Sequence, residues 1–568
     1  MTGPDHGPDH YGLTIPPDGA TLPPSGSNRT GRPHPAKRIR PVLRCQRNLA
    51  DGTRPTETVS SPMTLQLLPT GGLNGPEASS AALDRLYDHV TTVMLSRQHP
   101  VTGLLPASTA ITVHGNYTHA WVRDNVYSVL GAWALALAYR RRGDRPQRAR
   151  LLEQSVLKTM RGLLQAMMRQ ADKVERFKHS QAPLDSLHAI YSAATGETVA
   201  ADDGWGHLQV DATSLFLLML AQMTRSGLPI LYTMDEVAFV QNLVHYIGPA
   251  YRIADYGIWE RGRKINDGRV ELNASSIGMA KAALEALQGL DMFGEDAFGP
   301  TGAHLAESRQ AVIQVVPDEI ARARATLEAL LPRESGSKEV DAALLSVIGW
   351  PAFAVEDPDL VARTSAEIRD KLEGRWGAKR FLRDGHQTAF EDHNRLHYEA
   401  GELALFEGIE SEWPLFFSYR YVTALVTGDR ETAAAYRAKL DSLLVDRHGE
   451  PLLPELYIVP EAAAAAERAA PGSQPRVPNE NVPLLWAQSL YVVGLLLEAG
   501  LLAPADIDPL NRRGRIGHRP PAPVRLVVLA EDEEIRRRLS AQGVAAQRLE
   551  PNGPVAVCAT DFLAEVLA

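Results

Sequence analysis

Two glutamates far apart in the chain have the surroundings that acid–base chemistry needs. Glu260 follows Trp259 in Ala254-Asp255-Tyr256-Gly257-Ile258-Trp259-Glu260-Arg261-Gly262. An indole beside a carboxyl desolvates it and raises its pKa, which suits a general acid at neutral pH. Glu455, in Pro454-Glu455-Leu456-Tyr457, is the candidate for the partner base. Each has an ordinary alternative. Glu260 could be a surface acid closing a helix, and Glu455 a loop acid paired with an arginine.

More polar and aromatic residues gather where helices are expected to begin. His119-Ala120-Trp121-Val122-Arg123-Asp124-Asn125 opens one apolar helix. Asp203-Gly204-Trp205-Gly206-His207-Leu208-Gln209-Val210-Asp211 opens another. Glu271-Leu272-Asn273 opens a third, and Arg395-Leu396-His397-Tyr398 and Glu410-Ser411-Glu412-Trp413 precede a fourth. Trp486 and Gln488 lie on the last. Trp faces stack on pyranose C–H groups, carboxylates accept from vicinal hydroxyls, and guanidinium donates in pairs. The candidate sugar contacts are Trp121, Arg123, Asp124, Trp205, Gln209, Asp211, Trp259, Arg395 and Trp486. One such cluster could be only a helix cap, as Asp124 and Asp211 would suit. Their recurrence at successive helix mouths favours a shared pocket. Glycosidic hydrolysis needs two carboxyls, which Glu260 and Glu455 would supply.

The elements that must position these residues are helices. Helical spacing of apolar residues is expected over 82–98, 124–141, 145–172, 210–226, 235–254 and 274–289. It continues over 317–331, 341–348, 358–372, 414–428, 430–444 and 482–499. The segments 124–141, 210–226 and 482–499 are apolar all round, while 145–172, 358–372 and 430–444 have a charged face. That alternation fits an inner ring inside an outer ring, an all-α (α/α)6 toroid. No repeated sequence period points to a linear solenoid. The active site of such a toroid is expected on the loops leading into the inner helices.

The flanks differ. Residues 1–77 are rich in Pro, Gly, Ser and Thr and read as a disordered tail. Their basic Lys37-Arg38-Ile39-Arg40 cluster reads as a solvated linker, and Met63 is an alternative start to Met1. The helical domain is expected over 78–503, a Pro-rich linker over 504–523 and a small α/β appendage over 524–568. In the appendage, strands are expected at 524–529, 544–549 and 555–558, and helices at 533–542 and 561–567.

Composition narrows the function classes. The chain has 568 residues and a net charge of −9, which argues against a nucleic-acid partner. Its only cysteines, Cys45 and Cys558, imply no disulfide framework and fit a reducing, cytoplasmic compartment. No apolar leader or membrane span is expected. No metal-ligand spacing and no phosphate-cradling Gly-rich loop stands out, so no cofactor is expected.

These motifs resemble glycoside hydrolase family 15, the glucoamylase family, and within it the regulatory α and β subunits of phosphorylase kinase. The resemblance rests on the stretches quoted above, with Glu271-Leu272-Asn273-Ala274-Ser275-Ser276 and Ile507-Asp508-Pro509-Leu510-Asn511-Arg512-Arg513. It covers about residues 80 to 568. It implies an (α/α)6 barrel and inverting hydrolysis of α-glucans or maltooligosaccharides. It implies that Glu260 is the general acid and Glu455 the base that activates water. It further implies that Arg123 and Asp124 hold the non-reducing glucose, and that Trp205, Gln209 and Asp211 form a second sugar contact. The regulatory subunits imply an alternative, a glucan-binding subunit with a kinase or calmodulin partner and no turnover. A purely protein-binding scaffold would leave the polar helix mouths unexplained.

Overall fold

Helices that are apolar on every side cannot face water and must be surrounded by others. The computed structural model satisfies this with a closed inner ring. It describes residues 66–70, 75–108, 111–112, 115–293, 311–392, 395, 397–518, 525–526, 528–544, 546–548 and 558–559. The inner ring runs Val122–Arg142, Val210–Arg225, Ala274–Leu287, Leu345–Ile348, Leu415–Thr427 and Leu485–Glu498. Each packs on the next, and Leu485–Glu498 packs back on Val122–Arg142.

The amphipathic helices form the outer ring. Pro146–Met168, Met234–Ile247, Pro317–Leu330, Pro358–Leu372 and Arg430–Ser442 each follow an inner helix and pack against it. The sixth outer position is taken by Pro76–His89, continued by Val90–Met94. His89 joins it to the last inner helix through Gln488 Nε2 at 2.9 Å. The result is an (α/α)6 barrel. Because each inner helix turns back along an outer one, all six inner N-termini share one end.

Strands are confined to short two-stranded pairs among the described residues. Two of them serve the site end. Ala120–Trp121 pairs antiparallel with Ile190–Tyr191, and Tyr457–Ile458 with Val477–Pro478.

Several boundaries differ from the sequence reading. The first helix starts at Pro76, with Glu77 in its first turn, a start signal upstream of the apolar spacing. The helix expected over 145–172 breaks after Met168 and resumes as Ala171–Ser180. The segment 341–348 opens with a 3-10 turn, Ala342–Leu344, capped by Asp341.

The flanks also differ. Gln66, Leu67 and Leu68 fall in the stretch expected to be a tail, yet both leucines are buried. Gln66 Nε2 donates to Asp441 at 2.9 Å, and Arg85 donates to the Leu67 carbonyl at 2.7 Å. The stretch expected as a linker is partly a clamp across the far end of the barrel. Asp508 and Arg512 are buried there. Asp508 accepts from Gln222 at 3.1 Å, and Arg512 donates to Glu285 at 2.9 Å. Buried polar contacts, together with Ile507 in the core and Leu510 packed against it, hold this segment, which its Pro-rich composition does not reveal.

In the C-terminal segment the helix Glu533–Ala541 is capped by Asp532. Leu529–Ala530 pairs parallel with Gln547–Arg548, and Arg525–Leu526 antiparallel with Cys558–Ala559. The basic cluster 37–40, Met63, residues 555–557 of the last expected strand and the helix expected at 561–567 lie outside the described residues. Among the described residues no helix is long and apolar enough to cross a membrane.

Candidate active site

Arg123 is the hub of the open end. It is the second residue of the first inner helix, and its side chain is buried. Nη1 donates to Gln209 Oε1 at 3.1 Å and to Asp211 Oδ2 at 3.0 Å. Nη2 donates to the Ile258 carbonyl and lies 3.5 Å from Glu260 Oε1. One guanidinium thus joins three expected site segments. Trp486 lies beneath it, its ring centroid 5.9 Å from Cζ. That indole stacks on Tyr127 at 4.6 Å and donates to Tyr419 at 3.1 Å, so it forms part of the pocket floor.

Glu260 sits in an unusual backbone position. Its φ is +66°, the left-handed region that costs a non-glycine residue energy. Gly257 (φ +67°) and Gly262 (φ +62°) flank it. A Cβ on Gly262 would lie 2.1 Å from the Arg269 carbonyl oxygen, so the turn needs glycine there. The Glu260 carboxylate accepts from Trp205 Nε1 at 3.1 Å through Oε2. Burial pushes its pKa up to about 7, with Asp124 adding to the rise and Arg123 and Trp205 opposing it.

Trp259 is not the neighbour that caps this carboxyl. Its indole is buried and donates to both Asp341 oxygens, at 3.0 and 2.9 Å. Arg380 lies over its ring at 5.0 Å. Trp259 therefore anchors the loop, and the half-exposed Trp205 is the aromatic residue in contact with Glu260.

Glu455 is buried on the loop before the last inner helix. Three side-chain amides hold its Oε2: Asn479 at 2.7 Å, Asn481 at 2.8 Å and Gln387 at 3.3 Å. The register of the clamp is set by Glu455 N donating to the Asn481 carbonyl at 2.9 Å. Burial raises the Glu455 pKa, while these amides and Arg380 act against the rise.

Two residues, Tyr117 and Asp124, lie near both glutamates. Tyr117 hydrogen-bonds Glu455 and feels the charges of both Glu455 and Glu260, which with burial push its hydroxyl pKa up. Asp124 is pushed up to about 6 by burial, with Glu455 adding to the rise. Trp121 stands beside Tyr117, ring centroids 6.2 Å apart. Arg123 Nε and Asp211 Oδ1 are buried without a hydrogen-bond partner among the described residues.

Of the expected site residues, Trp121, Arg123, Asp124, Trp205, Gln209, Asp211, Glu260, Glu455 and Trp486 gather here. Arg395 stands apart. It forms an exposed fork with Glu402, at 2.9 and 2.6 Å, and covers Tyr398. Sequence reasoning missed Tyr117, Gln387, Arg380, Asn479 and Asn481. The two asparagines had a readable signal, an Asn-x-Asn step just before the final apolar helix. Tyr117 lies two residues before a motif that was recognised. Gln387 had none, because a positive φ of 54° turns it toward the pocket.

Comparison with known proteins bears on family and fold. Residues 80–520 match the profile of glycosyl hydrolases family 15. The chain is 51% identical over 492 residues to the phosphorylase b kinase regulatory subunit alpha, skeletal muscle isoform, of Mus musculus. It is 49% identical over 483 residues to the probable phosphorylase b kinase regulatory subunit alpha of Drosophila melanogaster. These matches cover 86% and 84% of the chain but only 38% and 37% of the relatives, so the chain spans under two fifths of their length. A solved structure described as a wild-type glycosidase shares the fold, with TM-score 0.51 and 18% identity. The match covers 76% of this chain and 100% of that one. The matched residues take in both glutamates, the Arg123 hub and the whole helical ring, and on that ground the chain belongs to glycosyl hydrolases family 15.

Proposed function

We propose that this chain hydrolyses α-glucans or maltooligosaccharides with inversion, as a glucoamylase-like glycoside hydrolase. The observation that carries the reading is a pair of carboxyls with different neighbours, Glu260 beside Trp205 and Arg123 and Glu455 in an amide clamp, with Asp124 and Tyr117 near both. Glu260, raised to about 7, keeps a proton to give to the leaving glycosidic oxygen at neutral pH. Glu455 has amide donors that favour its carboxylate form and suit it to take a proton from water. Divergent environments for paired carboxyls separate acid from base. Asp124, Arg123, Asp211 and Gln209 would hold the sugar hydroxyls, and Trp205 and Trp121 would border the ring faces. A water between Glu455 and the anomeric carbon requires carboxyls about 6.5–9.5 Å apart and gives inversion.

The similarity to phosphorylase b kinase regulatory alpha subunits favours a second reading, a glucan-binding regulatory subunit with a kinase or calmodulin partner. Calorimetric titration with maltoheptaose, paired with a glucose-release assay, separates the two. Release abolished by Glu260→Gln and by Glu455→Gln supports hydrolysis. Saturable binding without release overturns it in favour of the regulatory reading.

A further inference from the structure

The outer helix Pro146–Met168 carries a row of exposed cations along one face. Arg150, Gln154, Lys158, Arg161, Gln165 and Arg169 follow one another at steps of three or four residues, which places them in one stripe on the solvent side. The stripe carries four cations; Arg161 pairs with Glu236 at 2.8 Å and Arg169 with Glu197 at 3.0 Å, which leaves Arg150 and Lys158 without an acidic partner among the described residues. The acid of this helix, Glu153, lies beside the stripe, borders the groove and pairs with Arg140 at 3.4 Å. The chain as a whole carries a net charge of −9, so a cationic stripe runs against its background.

The stripe lines a groove. A cavity of about 640 Å³ lies between this helix, Val101 and Tyr232. A second, of about 550 Å³, adjoins it at Gln154 and Leu157 and continues toward Pro146 and Pro229. Arg161 stacks on Tyr232 at 3.7 Å and pairs with Glu236, which holds the tyrosine ring in place. Tyr232 and Val101 remain 57% and 84% exposed, so the groove offers apolar footholds beside its charges. Arg150 and Lys158 form no ion pair among the described residues, and their charge is available to a ligand. At ~1.5 Å per residue the stripe is roughly 30 Å long, which an extended peptide of about nine residues would span.

We infer that this groove docks an extended acidic segment of a partner protein, with carboxylates on the stripe and an apolar side chain against Tyr232. The expected carboxylate-to-cation pairing gives specificity and a salt-dependent on-rate. The chain's own basic 37–40 cluster has the wrong sign for the groove.

The test uses the full chain and a fluorescein-labelled peptide of roughly ten residues, alternating Glu and Ala around a central Phe. Its control replaces every Glu by Gln. Anisotropy is expected to report saturable binding of the acidic peptide only, weakened at least about tenfold by the double variant Arg150→Glu/Lys158→Glu. Both positions are exposed and unpaired, and maltoheptaose binding serves as the check that the variant is folded. Equal binding of acidic and neutral peptides, or of wild type and variant, overturns the proposal. So does displacement of the peptide by maltoheptaose, which would make the groove a carbohydrate site.

Discussion

Gly206 and Glu260 meet so closely that a Cβ on residue 206 would lie 2.4 Å from the Glu260 carbonyl oxygen. The loop before the second inner helix therefore interlocks with the loop that carries the proposed acid. Tyr256 N, which donates to the Leu208 carbonyl at 2.9 Å, fixes the same pair of loops. Trp205, next to that glycine, reaches the Glu260 carboxylate.

The first prediction follows from that contact. Gly206→Ala forces the two loops apart and displaces the Glu260 carboxyl. Misplacement of a catalytic group by about 1 Å costs on the order of 10²-fold in rate. Glucose release from maltoheptaose is expected to fall by that order while the helical circular dichroism signal is retained.

The pH dependence of stability depends on Glu260. Its carboxyl titrates near 7 when folded, against 4.5 for the ordinary group. The folded state therefore binds this proton more tightly than the unfolded chain does. Its contribution is fully present below about pH 4.5 and is lost as the pH rises toward 7. Glu260→Gln removes that loss. Urea unfolding is expected to find the variant more stable than wild type at about pH 8, by on the order of 2 kcal/mol, with the gap shrinking toward about pH 5.

With Glu455 as the proposed base, its amide clamp is expected to set the acid limb of activity. Asn481 donates to the charged form at 2.8 Å, so its loss raises the Glu455 pKa. In Asn481→Ala the acid limb of the kcat/KM profile is expected to move to higher pH. The rate at the optimum should fall about tenfold, the worth of one hydrogen bond to a charged group.

Much of this was legible in the sequence, for identifiable reasons. Helices such as 210–226 and 482–499 are apolar all round, and only an inner ring buries them. The polar clusters at 119–125 and 203–211 mark two of the mouths of that ring. What was not legible depended on chain direction in space. Trp259 precedes Glu260 in sequence, yet the left-handed turn at Glu260 sends the indole to Asp341 and leaves Trp205 beside the acid. Arg395 shares the residue type of a sugar-binding group, but its exposed loop gives it to Glu402. The 504–523 stretch reads as a linker by composition, and only the buried partners of Asp508 and Arg512 show that the part around 507–513 is a clamp.

That clamp gives a prediction independent of the pocket. Arg512 is buried against Glu285, which also faces Lys281 at 2.8 Å. Arg512→Met leaves a buried carboxylate with less compensation. Lys281, Arg515 and Arg324 still face it, at 2.8, 3.3 and 3.6 Å, so the cost is expected to fall below the about 3–5 kcal/mol of a buried charge left without a partner. The urea midpoint is expected to fall accordingly, while KM for maltoheptaose, measured where the variant is folded, stays at the wild-type value.

The central claim is that Glu260 and Glu455 act as acid and base on opposite faces of a glycosidic bond. Proton NMR of the first glucose released from maltoheptaose reads that claim most directly. β-Glucose is expected as the initial product, mutarotating later to the α form, with no product from Glu260→Gln or Glu455→Gln. Initial α-glucose, or glucose release that survives either substitution, would contradict it.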